Sequence, residues 1–274
     1  MQGIQKFIPT DKKVAYLNAL LRVGFDTLDF GSFVSGKVVP QLADTAEVLA
    51  GLELSGTSTK LLAIVANLRG AEEAAGHGGI RYLGYPFSIS ETFQLRNTRR
   101  TIAESMELVA EMRALCNAAG KVLVVYISMG FGNPYGDPWS PILAGDWVQR
   151  IVDLGVSVIS LSDTVGTADA STIGSIFREM IPRFPTVEFG AHFHSTPEMG
   201  VTKLRAAWEG GCRRFDSAMM GFGGCPFAED ELVGNISTES VVHFLGEVGS
   251  SHGLNTEAFG EACEMAATLF NQYR

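Results

Sequence analysis

The sequence predicts an α/β protein built on a parallel barrel, and three observations lead there. Short β-branched or apolar runs alternate with helical patterns along the chain, and strands separated by helices pair in parallel, because a parallel connection needs a crossover. The 274 residues match the roughly 250 that an α/β barrel needs. No Gly-rich phosphate signature follows any strand pattern, which argues against an open dinucleotide-binding sheet.

The first helix is marked by Thr10 as a cap and by Asp11 at its positive end. Val14, Leu17, Leu20 and Leu21 recur at helical spacing, and Gly24 stops the run. Strand patterns follow at 26–30, 60–66, 81–87, 121–128, 157–162, 187–194 and 213–218. Between the third and fourth, Ile102, Met106, Val109 and Met112 share one face of a long helix, and Gly120 lies just past its end. Further helices are read at 144–154, 201–209 and 257–273. That makes seven strands where a closed barrel needs eight, and the chain opens almost directly into a helix. The expectation is a (β/α)8 TIM barrel forming one domain over residues 1–274, with the first strand missing from this chain.

Composition narrows the function classes. Hydrophobic residues make up 46% and charged residues 19%, enough apolar material for a large core. The formal charge is −9, the wrong sign for a general nucleic-acid binder. No apolar run approaches the length of a bilayer span, and residues 1–13 lack a signal-peptide pattern. Cys116, Cys212, Cys225 and Cys263 form no CxxC pair and read as reduced thiols. The protein is therefore expected to be cytoplasmic, with no nucleic-acid or membrane partner.

Four strand ends carry polar groups. In Gly190-Ala191-His192-Phe193-His194-Ser195-Thr196, alternation puts His192 and His194 on one face. Two imidazoles there can bind one divalent metal; the alternative is one core histidine and one facing solvent. Gly221-Phe222-Gly223-Gly224-Cys225-Pro226-Phe227-Ala228 presents Cys225 on a glycine-rich loop, and Asn235 follows with an amide oxygen. The alternative is an ordinary loop with an inert thiol. Ser160-Leu161-Ser162-Asp163-Thr164 ends in a carboxylate that can take protons or cap the next turn. Asp29-Phe30-Gly31-Ser32 is a fourth strand end with the same two readings. Polar groups at several strand ends are how barrel enzymes assemble a site.

In order and wording these segments resemble the 3-hydroxy-3-methylglutaryl-CoA lyase family of metal-dependent barrels. Ser32-Phe33-Val34-Ser35, with Val39-Pro40-Gln41-Leu42-Ala43-Asp44, is similar to the loop after that family's second strand. Tyr126-Ile127-Ser128 and Phe131-Gly132-Asn133-Pro134-Tyr135 resemble its fifth-strand segment, with Asn133 where the family has Cys. The segment 160–166, the paired histidines and the cysteine loop followed by Gly234-Asn235 resemble its later strand ends, with Ser195 in place of an Asp.

The resemblance implies that His192, His194 and Asn235 ligate a divalent metal, Mg²⁺ or Mn²⁺. It implies that Cys225 serves in proton transfer, that Asp163 is an active-site carboxylate, and that Asp29 replaces a family Glu. The implied reaction is retro-Claisen cleavage of a 3-hydroxyacyl-CoA to acetyl-CoA and a ketoacid such as acetoacetate. The implied partner is an acyl-CoA substrate, with a homodimer as a candidate assembly. The family's Arg-Asp-Gly-x-Gln motif, which supplies a fourth ligand and an enolate-stabilising cation, would end on Met1-Gln2. Its Arg and Asp would then lie just upstream, either because Met1 is an internal start or because the protein is truncated and impaired. On this reading the 274-residue chain is expected to be nearly inactive as a lyase. The alternatives are a ketoacid aldolase, a Claisen-type acyl-CoA synthase, or a non-catalytic homologue; the cysteine loop favours the lyase.

Overall fold

The computed structural model describes residues 1, 2, 4, 6–223 and 233–273. The chain runs α1 (Thr10–Val23), β1 (Thr27–Ser32), a 3-10 turn (Pro40–Leu42), α2 (Thr45–Ala50), β2 (Lys60–Ile64), α3 (Leu68–Gly76) and β3 (Ile80–Ser88). It continues through α4 (Glu91–Thr98), α5 (Ile102–Ala118), β4 (Val122–Ser128), α6 (Pro141–Asp153), β5 (Val158–Asp163), α7 (Ala170–Arg183) and β6 (Glu188–Phe193). It ends with α8 (Pro197–Glu209), β7 (Arg214–Asp216), a second 3-10 turn (Met219–Gly221), α9 (Thr238–Glu247) and α10 (Thr256–Tyr273).

Seven parallel strands form one curled sheet in the order β1 to β7, each paired with its neighbour in sequence. Among the described residues β1 and β7 do not pair, so a seam stays open where an eighth strand would close the barrel. Among the described residues the strand count is thus the expected seven, with no strand before α1. No helix among the described residues is long and apolar enough to cross a membrane.

Local chemistry explains the boundaries. Gly24 ends α1 in the left-handed region at φ 84°, which favours glycine. Thr101 and Glu104 form a reciprocal capping box at the start of α5, and the side chains of Ser140 and Asp169 cap α6 and α7. Thr10 does not cap α1 as expected. Pro9 takes the cap position, and the Thr10 hydroxyl instead donates to the Asp44 carboxylate at 2.7 Å.

Strand alternation divides the interior into two layers. Odd-numbered residues such as Leu83, Val125, Ile159 and Phe193 face outward and form the main core with the helices. In β2 to β7 even-numbered residues face the lumen, where Leu62, Val124 and Val158 pack with Ile64, Tyr82, Val122 and Tyr126 as a small apolar floor. In β1 the parity is reversed, so Leu28 and Phe30 join the main core and Asp29, beside Leu62, faces the lumen. The rest of the lumen is polar, and that is where the site lies.

Candidate active site

His192 and His194 share the lumen face of β6 and its extension, with ring centroids 5.5 Å apart. Phe193 between them turns outward, against Phe131 at 5.6 Å and Phe177 at 6.4 Å. The alternation expected of a strand is thus realised. His192 leans edge-on against Tyr126, centroids 5.4 Å apart.

Each ring has its Nδ1 committed. His194 Nδ1 lies 3.0 Å from the carbonyl of Val233, and a carbonyl can only accept, so that nitrogen carries the hydrogen. His192 Nδ1 lies 3.3 Å from Asp216 Oδ2. Burial alone would raise the pKa of Asp216, but the Arg214 charge, His192 and Ser160 outweigh it and hold the carboxyl at about 2. Asp216 is then an acceptor only, and His192 Nδ1 is the donor. In the tautomer that these contacts favour, Nδ1 carries the hydrogen and Nε2 the lone pair. Burial, with the neighbouring His192 adding to it, pushes His194 down to about 4, so it stays neutral at physiological pH.

Asn235 joins them through backbone. It forms an antiparallel bridge with His194, and its Nδ2 donates to the Phe222 carbonyl at 3.3 Å. That bond leaves the amide oxygen as the free acceptor end. Two imidazole nitrogens and an amide oxygen can hold a divalent ion, with further oxygens from substrate or solvent. Among the described residues no group of three or more His, Cys, Asp or Glu side chains does so.

Glycines make room for the amide. A Cβ on Gly223, at φ 105°, would lie 2.9 Å from Asn235 Nδ2. Gly223→Ala is therefore expected to strain the loop by about 1–3 kcal/mol and to displace Asn235. Titration with Mn²⁺ should show weaker binding, and unchanged affinity would remove Asn235 from the ligand set.

Asp29 stands on the edge strand β1 with solvent access. The lumen wall still strips part of its hydration. That desolvation raises its pKa to about 7, with Asp216 adding to it, against the Met1 amine and His192, which lower it. The folded state thus holds this proton to higher pH than the unfolded chain does, so Asp29 reduces stability as pH rises from about 3.8 to about 7. Asp29→Asn should remove that slope and gain on the unmodified protein above neutrality, with a size limited by solvent screening. Urea denaturation across that pH range checks it; parallel curves for the two proteins would rule it out.

Asp163 does not join this group. It is in register with Phe193 rather than His192, so its side chain turns outward to the helices. There it accepts from Lys203 Nζ at 2.6 Å and from the backbone N–H groups of Thr167 at 3.1 Å and Ala168 at 3.2 Å. The carboxylate ties the turn after β5 to α8, so the structure does not bring Asp163 together with His192 and His194 as expected. Cys225 lies outside the described residues. The residues that sequence reading missed are Ser160, Ser162, Arg214 and Asp216. Ser162, paired with His192, has a buried hydroxyl with no hydrogen-bond partner among the described residues.

Comparison with known proteins bears on the family and the fold. The family model described as HMGL-like matches residues 1–265. The (R)-citramalyl-CoA lyase of Chloroflexus aurantiacus is 32% identical over 267 residues, covering 94% of this chain and 84% of that protein. The hydroxymethylglutaryl-CoA lyase of Pseudomonas mevalonii is 31% identical, covering 95% and 86%. The structure of an HMG-CoA lyase from Acinetobacter baumannii, in complex with coenzyme A and 3-methylmalate, superimposes with a TM-score of 0.91 at 31% identity, covering 98% of this chain and 87% of the other.

Proposed function

The chain belongs to the HMGL-like family and is a carbon–carbon lyase that cleaves a hydroxyacyl-CoA to acetyl-CoA and a ketoacid; on that premise we propose that His192, His194 and Asn235 hold the divalent metal, Mg²⁺ or Mn²⁺, on which the cleavage depends. The observation that carries this is the pair of imidazoles on the same side of β6, each with its Nδ1 within hydrogen-bond distance of an oxygen acceptor.

A bound divalent ion supplies Lewis-acid polarisation of the substrate's hydroxyl and carboxylate oxygens, which lowers the hydroxyl pKa. The remaining work falls to side chains. Asp29, with a pKa near neutrality, takes the hydroxyl proton, since a base is most effective when its pKa lies near the working pH. As that proton leaves, the C–C bond breaks and its electron pair passes to the acetyl thioester as an enolate, while the former carbinol carbon becomes the ketone of the ketoacid. Cys225 is the proposed acid that returns a proton to the enolate carbon. Asp163 and Lys203 keep the β6 end in place without touching substrate.

The test is to incubate the protein with Mg²⁺ or Mn²⁺ and either 3-hydroxy-3-methylglutaryl-CoA or (R)-citramalyl-CoA, and to measure acetyl-CoA and ketoacid release. A parallel arm carries an added N-terminal strand ending in Arg-Asp, placed to fill the open seam. Metal-dependent release in either arm supports the reading, and the preferred substrate identifies the acyl group. No release from either form with either substrate would overturn it.

A further inference from the structure

We propose that Asp216 is a positioning residue for the His192 ring, and that Ser160 and Arg214 lock Asp216 in the orientation this requires. The inference rests on the reading of His192 as a metal ligand and concerns what fixes that ligand. It starts from β7, which brings two charged residues, Arg214 and Asp216, to the lumen face at a spacing of two.

Register places them. Arg214 stands beside Gly190, and Asp216 beside His192. On the next strand, Gly190 pairs with Ser160. The glycine is what lets the three side chains meet. A Cβ at position 190 would lie 2.7 Å from Ser160 Oγ, 3.2 Å from Arg214 Nη1 and 3.4 Å from Arg214 Cδ. With only hydrogen there, Arg214 lies across β6, and Ser160 reaches from β5 to β7.

Asp216 is then held by two partners. Ser160 donates to Oδ2 at 2.9 Å. Arg214 Nη2 lies 3.6 Å from Oδ1, and its Nε lies 3.5 Å from Glu188 Oε1 on the other side. The carboxylate has one direction left, toward His192 Nδ1 at 3.3 Å. Tyr126 packs edge-on against the same ring, with centroids 5.4 Å apart. A carboxylate in this place has no hydrogen to give, so it fixes the tautomer with the hydrogen on Nδ1 and the lone pair on Nε2. Metal-bound histidines commonly rely on such an outer carboxylate, and its removal typically costs about 10–100-fold in metal affinity.

Asp216→Asn keeps the shape but offers both a donor and an acceptor to Nδ1. Two readouts separate positioning from folding. In metal-free protein, nitrogen-15 NMR should show His192 as a single Nδ1–H tautomer in the unmodified chain and as a mixture in the variant. Titration with Mn²⁺, followed by electron paramagnetic resonance, should show affinity about 10–100-fold lower in the variant. Ser160→Ala should move both readouts the same way by a smaller amount. If Asp216→Asn, which leaves Arg214 with Glu188 alone, fails to fold, Asp216→Asn with Arg214→Met removes the lumen charge as well, and the same two readouts apply. A folded variant with an unchanged tautomer and unchanged Mn²⁺ affinity overturns the proposal. Should the unmodified protein bind no Mn²⁺, the metal assignment fails, and the metal-free tautomer still decides whether Asp216 positions the ring.

Discussion

His194→Ala is expected to abolish Mn²⁺ binding and, with it, any lyase turnover. His194 is 4% exposed, and its neighbours leave it one chemical role. Its Nδ1 is spent on Val233, its backbone pairs with Asn235, and its ring meets His192. Removing it takes away one of three proposed protein donors and also the side-chain tie to the Val233 carbonyl, two residues before the second donor, Asn235. The loss should exceed the about 10–100-fold seen when only an outer partner of a ligand is removed. His243→Ala is the control, since that ring is 76% exposed and pairs with Glu247 one turn away at 3.2 Å. Mn²⁺ titration of both variants decides the matter: binding that survives in His194→Ala would dismiss the ligand assignment.

The second large effect is on stability. Lys203→Met should destabilise the fold by about 3–5 kcal/mol, the usual result of leaving one member of a buried ion pair alone. Lys203 and Asp163 are 2% and 3% exposed. The ammonium donates to Asp163 at 2.6 Å, to the Gly166 carbonyl at 2.7 Å and to the His194 carbonyl at 3.0 Å. Losing it strands a carboxylate and two carbonyls together. Asp163→Asn combined with Lys203→Met removes both charges and should recover much of the loss, because replacing a buried pair outright is often close to neutral. Chemical denaturation of the single and double variants distinguishes these cases. A single variant as stable as the unmodified protein would show that the pair is not what anchors α8 to the β6 end.

The two charged sites show what sequence reading can and cannot reach. The strands, their order and the shared face of His192 and His194 were legible because alternation and crossover rules are local. Asp163 was misplaced although the parity was available. Ser160 and Ser162 share the lumen side with His192, so Asp163, one residue on, had to face the helices. Its partner was not legible: Lys203 lies 40 positions away, in a helix where a lysine ordinarily reads as solvated. Arg214 and Asp216 were read only as part of a strand at 213–218. Two charges at a spacing of two in a barrel strand were the available signal. Their meaning depends on Gly190 across the sheet, which no local pattern shows. Cys225, whose loop is the feature that favours a lyase over its relatives in the sequence, lies outside the described residues.

The open seam has a consequence for cooperativity. Among the described residues β7 is three residues long and hydrogen-bonded to one neighbour, so it is the strand with the least to lose by local opening. It is also the strand that carries Asp216, while His192 belongs to β6, which is paired on both sides. The site thus straddles a firm element and a loosely held one. Anything that binds only the closed arrangement draws the opening equilibrium of β7 toward the sheet, by an amount set by its concentration over its dissociation constant. Occupancy of the site and order at the sheet's margin are therefore one linked equilibrium, and the margin tightens as the site fills.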